Sequence, residues 1–139
     1  MKLFISFLIL IINISSISAN ELKTERKQGV CIYFTGLSGS GKSTLSEKLK
    51  ERLLSINIPQ EDITILDGDI IRTNISNGLG FSKKDRSINV RRIGFIASLI
   101  VKHKGICICA NIAPYEEDRT YNRENISKYG KYVEVFVNT

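Results

Sequence analysis

One glycine-rich stretch, residues 36–43, constrains the fold of this 139-residue chain more than any other. It reads Gly-Leu-Ser-Gly-Ser-Gly-Lys-Ser and fits the pattern G-x-x-x-x-G-K-[ST]. An apolar, β-rich segment (residues 30–35) precedes it, and Leu45, Leu49 and Leu53 follow it at helical spacing. Strand, glycine loop and helix together predict a phosphate-binding loop. The alternative is a glycine-rich turn that holds no ligand.

The residue types of this loop suit a phosphate anion. Glycines let consecutive backbone N–H groups point inward, and the helix beginning near Gly41 adds the positive end of its dipole. We expect Lys42 to reach the β- and γ-phosphates of ATP and the Ser43 hydroxyl to bind Mg²⁺. The residues predicted to contact the ATP phosphates are Gly36, Ser38, Gly39, Ser40, Gly41, Lys42, Ser43 and Thr44.

The rest of the chain alternates predicted strands with predicted helices. The predicted strands are residues 30–35, 63–66, 106–110 and 133–137; the predicted helices are 41–54, 70–75, 83–104 behind the N-cap Ser82, and 116–128. Strands without clean alternation, each followed by a helix, indicate a mainly parallel sheet covered on both faces. The sequence predicts a three-layer α/β fold with ligands at the carboxyl ends of its strands.

Residues 1–19 differ from the rest in composition. Lys2, an apolar run (residues 3–12) and small residues ending at Ala19 predict a signal-like hydrophobic leader, whose apolar core is short for a bilayer. It is interpreted as an export signal, an organelle-targeting element or a misplaced start. Residues 20–29 are a polar lead-in, and residues 30–139 form one domain.

The cellular location is predicted from chemistry. ATP-dependent transfer and an odd number of cysteines, all three in apolar strand-like runs, favour the cytoplasm or an organelle. The leader leaves the secretory pathway open. A net charge of +6 suits anionic partners.

Two acids directly follow the second predicted strand. Asp67 and Asp69 flank a glycine, where they can hold Mg²⁺ through water or accept a proton from a substrate hydroxyl. The alternative is an Asp-Gly turn in which Asp69 caps a helix. We predict Lys42, Asp67 and Asp69 as catalytic residues, with Ser43 and Asp69 at the metal, in part through water.

Residues 82–92 hold five basic residues against one acid. Three interpretations apply: a solvated helix face, a nucleic-acid contact, or a site for a small polyanion. Nucleic acid is disfavoured because the stretch is short and has no interleaved aromatic residue beyond Phe81. Arginine forks grip phosphate and sulfate oxygens well.

These motifs, in this order, resemble adenylylsulfate kinases over roughly residues 27–139. The resemblance rests on the loop at 36–44, on L-D-G-D-x-x-R from Leu66 to Arg72, on L-G-F-S-x-x-D-R-x-x-N-V-R-R-I-G from Leu79 to Gly94, and on A-P-Y-x-x-x-R from Ala113 to Arg119. It implies a P-loop kinase fold and transfer of the γ-phosphoryl of MgATP to the 3′-hydroxyl of adenosine 5′-phosphosulfate. The product would be 3′-phosphoadenosine 5′-phosphosulfate, made for sulfate assimilation or sulfonation.

The resemblance also implies roles by position. Arg72, Arg86 and Asn89 would hold the phosphosulfate substrate, Phe81 would stack on its adenine, and Asp69 would orient the 3′-hydroxyl or Mg²⁺. The implied partners are ATP and adenosine 5′-phosphosulfate, with no nucleic acid, no stable membrane span and a possible homodimer.

Two departures from the family pattern shape the expectations. Many members carry a serine where this chain has Ala113, so a phosphoserine form is excluded. The family continues past its fourth strand with a basic lid, and we expect residues 30–139 to be a kinase domain lacking that C-terminal lid. The rival functions are a non-catalytic nucleotide-binding remnant and a kinase for another small hydroxyl compound.

Overall fold

The computed structural model describes residues 28–138, which form one sheet between two layers of helices. The elements are β1 (Gly29–Thr35), α1 (Lys42–Ser55), β2 (Ile63–Asp67), α2 (Gly68–Asn74), α3 (Lys83–Lys102), β3 (Ile106–Ala110), α4 (Glu116–Ser127) and β4 (Gly130–Phe136). The four strands are all parallel and lie in the order β2-β3-β1-β4. The predicted three-layer α/β fold is confirmed.

Two apolar clusters, one on each face of the sheet, hold the layers together. On one face the α1 leucines Leu45, Leu49 and Leu53 pack against β1, β3 and β4. On the other face α2, α3 and α4 cover β1 and β3, with Ile93, Ala97 and Ile126 fully buried. Strands β1 and β3 are buried on both faces, which explains why their sequences are continuously apolar rather than alternating.

The element boundaries differ from the predicted ones where backbone pairing or capping decides them. Strand β4 begins at Gly130 rather than at residue 133, because the pairing with β1 starts at Gly29↔Gly130. Helix α3 begins after Ser82, whose hydroxyl accepts the Asp85 N–H at 3.1 Å as the predicted N-cap. It ends at Lys102, and Lys104 reverses the chain with a φ of 66°.

The helix cap after β2 is Asp67, not Asp69. The Asp67 carboxylate accepts the backbone N–H of Asp69 at 2.9 Å, so α2 begins at Gly68, two residues earlier than predicted. Gly68 is required here because an added Cβ would lie 2.9 Å from the Cβ of Asn111.

Among residues 28–138, no helix combines the length and the apolar character that crossing a membrane requires. The predicted leader, residues 1–19, and most of the polar lead-in lie outside the described residues.

Candidate active site

The loop predicted to bind phosphate joins β1 to α1 and depends on left-handed backbone. Gly39 and Gly41 have φ values of 74° and 99°, and Gly36, at 140°, passes so close to the chain that an added Cβ would lie 2.4 Å from the Val137 carbonyl oxygen. Gly41 caps α1 with no side-chain hydrogen bond. The first N–H groups of α1 therefore face the loop without a capping side chain, which suits an anion.

Lys42 lies folded over this loop. Its ammonium donates to the Leu37 carbonyl at 2.7 Å and to the Ser40 hydroxyl at 3.4 Å. Burial lowers the pKa of the Lys42 ammonium, and the nearby carboxylates of Asp67 and Asp69 act in the opposite direction. An incoming polyphosphate would supply the charged partner that this ammonium lacks in the loop.

Asp67 links the loop to the second strand. Its carboxylate accepts the Ser43 hydroxyl at 3.0 Å while its other oxygen caps α2. Asp69 is exposed and lines the same cavity. The oxygen donors of Ser43, Asp67 and Asp69 form the ligand set that a hard divalent cation prefers.

A second wall of the cavity is built on one aromatic ring, Phe81, which is 73% exposed. The guanidinium of Arg72 lies 4.6 Å from the ring centroid and that of Arg86 lies 5.9 Å from it. Both arginines also hold the loop that carries the ring: Arg72 donates to the Gly80 carbonyl at 2.9 Å, and Arg86 donates to the Phe81 carbonyl at 2.9 Å. The wall thus presents two cations and an aromatic face.

Two buried amides also line this cavity. Asn89 is 5% exposed and Asn111 is 7% exposed. The side-chain oxygen Oδ1 of Asn89 and both side-chain amide atoms of Asn111, Oδ1 and Nδ2, have no hydrogen-bond partner within the described part of the chain. Buried polar atoms in proteins are normally paired, so these amides retain hydrogen-bonding capacity for a ligand or for ordered water.

One cavity of about 560 Å³ gathers almost all of the predicted site residues. It is lined by Ser38, Gly39, Gly41, Lys42, Ser43, Thr44, Asp67, Asp69, Arg72, Phe81, Arg86 and Asn89. Gly36 and Ser40 do not line it: Gly36 packs against the end of β4, and Ser40 is buried behind Lys42.

Some residues line the cavity although they were not among the predicted site residues. Gly68 and residues 111–114 also line the cavity, as expected for segments that follow β2 and β3, whereas Val90 was not predicted. Ala113 has a φ of 40°, and the Arg119 guanidinium donates to its carbonyl at 2.9 Å. A strained residue held by a neighbouring side chain beside a cavity is typical of functional sites.

Most of the basic run serves structure instead of the cavity. Arg91 pairs at 2.8 Å with Asp118, a fully buried carboxylate that also accepts the Ser87 hydroxyl at 2.7 Å. Arg92 donates to the Ile75 carbonyl at 3.2 Å, and Lys83 pairs with Glu117 at 3.2 Å. The role of Asp118 was missed by sequence reasoning because its partners lie about thirty positions away in α3.

Comparison with known proteins gives a consistent result. The family model described as adenylylsulphate kinase matches residues 28–139. The chain is 48% identical over 113 residues to the adenylyl-sulfate kinase of Microcystis aeruginosa, and 50% identical over 111 residues to that of a Picosynechococcus species. These alignments cover 81% and 80% of this chain but 59% of each relative, so the chain spans about three fifths of their length.

Solved structures agree in fold. The hexameric APS kinase from Thiobacillus denitrificans superposes with a TM-score of 0.73 at 52% identity, over 81% of this chain and 22% of that one. The Mycobacterium tuberculosis APS kinase in complex with AMPPNP and APS superposes with a TM-score of 0.70 at 33% identity, over 80% and 63%. A gluconokinase from Sinorhizobium meliloti, at 22% identity and a TM-score of 0.54, shares the fold alone.

Proposed function

Because this chain belongs to the adenylylsulfate kinase family, we propose that it carries the phosphotransfer site for converting adenosine 5′-phosphosulfate into 3′-phosphoadenosine 5′-phosphosulfate. The single observation that carries the proposal is the layout of the cavity. The same cavity is lined by the phosphate loop, by an aromatic ring flanked by two arginines, and by two acids, one of which accepts the Ser43 hydroxyl.

The donor side binds ATP. Backbone N–H groups of the loop and of the first turn of α1 surround the β- and γ-phosphates, and Lys42 moves from the Leu37 carbonyl to the phosphate oxygens. Ser43, with Asp67 as its hydrogen-bond partner and Asp69 nearby, would hold Mg²⁺. When bound, the ion neutralises charge on the phosphates.

The acceptor side selects an anionic nucleotide. Phe81 stacks on the adenine, Arg72 and Arg86 contact the phosphosulfate, and the unpaired side-chain oxygen of Asn89 accepts a hydrogen bond from the substrate. A neutral alcohol or sugar would offer these cations no anionic partner.

For phosphoryl transfer, the protein mainly has to position the two nucleotides and stabilise charge; it forms no covalent bond itself. The bond between the γ-phosphorus and the bridging oxygen of ADP breaks as the 3′-oxygen bonds to phosphorus. Asp69 orients the 3′-hydroxyl and accepts its proton. The products are ADP and the 3′-phosphorylated nucleotide.

The test offers the full chain ATP with one of two acceptors, adenosine 5′-phosphosulfate or gluconate, or with no acceptor as a blank. We expect ADP release only with adenosine 5′-phosphosulfate, and isothermal titration should show both nucleotides binding. Binding of both without turnover would identify the non-catalytic remnant. Faster turnover with gluconate would overturn the acceptor assignment while leaving the phosphate loop intact.

A further inference from the structure

The three cysteines of this chain meet at one place in the core. Cys31 lies on β1, and Cys107 and Cys109 lie two residues apart on the neighbouring β3, with Cys31 directly opposite Cys107. Their sulfur atoms all lie within 4.8 Å of one another, at 3.9 Å for Cys31–Cys109 and 3.7 Å for Cys107–Cys109. All three are free thiols, and they account for every cysteine in the sequence.

The surroundings of this thiol cluster are apolar and closed to solvent. Each of the three side chains is 0% exposed, and they share a packed cluster with Ile93, Ala97 and Ile126. Within residues 28–138, no histidine, aspartate or glutamate joins them as a potential ligand. The cluster therefore offers three sulfur ligands in a buried, solvent-excluded part of the core.

We propose that Cys31, Cys107 and Cys109 form a binding site for trivalent arsenic. Arsenous acid would enter, each thiol proton would pass to one departing hydroxide, and three As–S bonds would replace three As–O bonds. Three water molecules leave, and no atom changes oxidation state. The arsenic replaces three thiol hydrogens, so the product is a neutral tris-thiolate that links β1 to β3.

Charge and coordination number favour this ion over other thiophilic ions. Structural zinc sites take four ligands, and zinc with three thiolates would leave a net negative charge. A copper(I) ion with three thiolates would leave two negative charges. Burying an uncompensated charge in an apolar core is costly, whereas the arsenic complex has none.

The burial of the three thiols determines how arsenic can reach them. Buried thiols are inert while the core is closed, so uptake must follow local opening of the helix layer above the sheet. The inference is independent of the proposed function, since none of the three cysteines lines the phosphotransfer cavity.

The experiment uses the reduced full chain and sodium arsenite in two arms, one in native buffer and one during refolding from urea. We expect slow uptake in the native arm and rapid uptake on refolding. Intact mass should rise by one arsenic minus three hydrogens. X-ray absorption should show three sulfur neighbours and no oxygen neighbour around arsenic. Bound arsenic should also raise the melting temperature.

Two variants, Cys31→Ala and Cys107→Ala, should each weaken arsenic retention by roughly tenfold or more, because only two thiols remain. Ser98→Ala, a buried change on α3 that removes no thiol, should bind like the wild type. No arsenic retained after refolding, an oxygen neighbour in the absorption spectrum, or displacement by equimolar Zn²⁺ would overturn the proposal. The absorption measurement on the wild type decides the question if a variant does not fold.

Discussion

At the scale of single residues, Lys42 shows how the loop holds a charge ready for a ligand. The ammonium is largely buried and its hydrogen bonds go to a carbonyl and a hydroxyl, not to a carboxylate. A charge held by neutral partners gains more from an incoming phosphate than one already in an ion pair.

Replacing this side chain should therefore disable the donor side. We expect Lys42→Ala to weaken ATP binding about ten- to hundredfold, the equivalent of one charge-assisted hydrogen bond, and to abolish phosphate transfer. Isothermal titration with ATP and an ADP-release assay measure the two effects. Lys50→Ala is the control, since Lys50 lies on the same helix but does not line the cavity; it should leave both ATP binding and phosphate transfer unchanged. Wild-type turnover by Lys42→Ala would show that the loop assignment is wrong.

The lowered pKa of Lys42 gives a further expectation at alkaline pH. Phosphate oxygens favour the ammonium, so ATP binding should raise this pKa again. Between the lowered and the raised pKa, the free protein has lost the proton and the complex has kept it. Binding should therefore take up a proton, and ATP affinity should fall as pH rises through that window.

Titration calorimetry in buffers of different ionisation enthalpy would count that proton. Lys42 affects the free energy of unfolding in the opposite direction. Between its lowered pKa in the folded protein and the ordinary lysine pKa, the unfolded chain keeps the proton and the folded chain has lost it. The contribution of Lys42 to folding stability should therefore increase slightly as pH rises through this window, while the affinity for ATP falls. Proton uptake that persisted in Lys42→Ala would assign the effect to another group.

Arg86 is the residue through which the acceptor assignment is best examined. It contacts the cavity, lies 5.9 Å from the Phe81 ring centroid and supports the Phe81 carbonyl. Arg86→Ala should raise the KM for adenosine 5′-phosphosulfate about ten- to hundredfold, with ATP affinity nearly unchanged. Steady-state kinetics with each nucleotide varied in turn measures this split.

Arg92→Ala is the matched control, since Arg92 lies on the same helix but donates to Ile75 and Ser76 outside the cavity. Its KM values should match the wild type. If Arg86→Ala weakened the binding of ATP and left the binding of adenosine 5′-phosphosulfate unchanged, Arg86 would belong to the ATP site and the acceptor assignment would be wrong.

At the scale of elements, the contact between α3 and α4 determines where Arg86 and Asn89 lie. Buried polar groups join the two helices: Asp118 accepts from Arg91 and Ser87, and Asn122 donates to the Val90 carbonyl at 3.1 Å. Gly94 makes the close approach possible, because an added Cβ would lie 1.9 Å from the side-chain oxygen Oδ1 of Asn122.

Gly94→Ala should accordingly destabilise the fold by about 1–3 kcal/mol through overpacking, although alanine is the better helix former. Urea denaturation measures the change. In the double variant with Asn122→Ala the obstruction is gone, so the combined loss should be smaller than the sum of the single losses. A Gly94→Ala protein more stable than wild type would contradict the packing argument.

At the scale of the whole molecule, β4 lies at one edge of the four-stranded sheet. Phe136 on this strand is 67% exposed. Within the described residues no strand pairs with the outer side of β4, and unpaired edges favour association between chains. We propose this edge as the place where two copies of the chain would associate.

We expect the full chain to associate at high concentration and Phe136→Lys to reduce that association, because a charge on an edge strand opposes pairing. Sedimentation velocity over a concentration series measures it. Phe95→Lys, at an equally exposed aromatic on α3 away from the edge, is the control and should associate like wild type. A monodisperse wild-type monomer throughout the series would argue against the edge interaction.

Local patterns in the sequence determined the elements and the chemistry of the loop. Apolar runs predicted the four strands, leucine spacing predicted α1, and the glycines with Lys42 and Ser43 predicted a phosphate loop at the end of β1. These signals could be read without the structure, because each depends on backbone conformation and side-chain type within a few residues.

Only the tertiary structure decided which distant residues meet. Strand pairing places Cys31 against Cys107, while packing of the helices brings Ser43 to Asp67 and Arg91 to the buried Asp118. Arg86 reaches the cavity and Arg91 does not, although both belong to the same basic run. The physical reason is that strand pairing and helix packing bring together residues far apart in the chain, and no local pattern encodes those contacts.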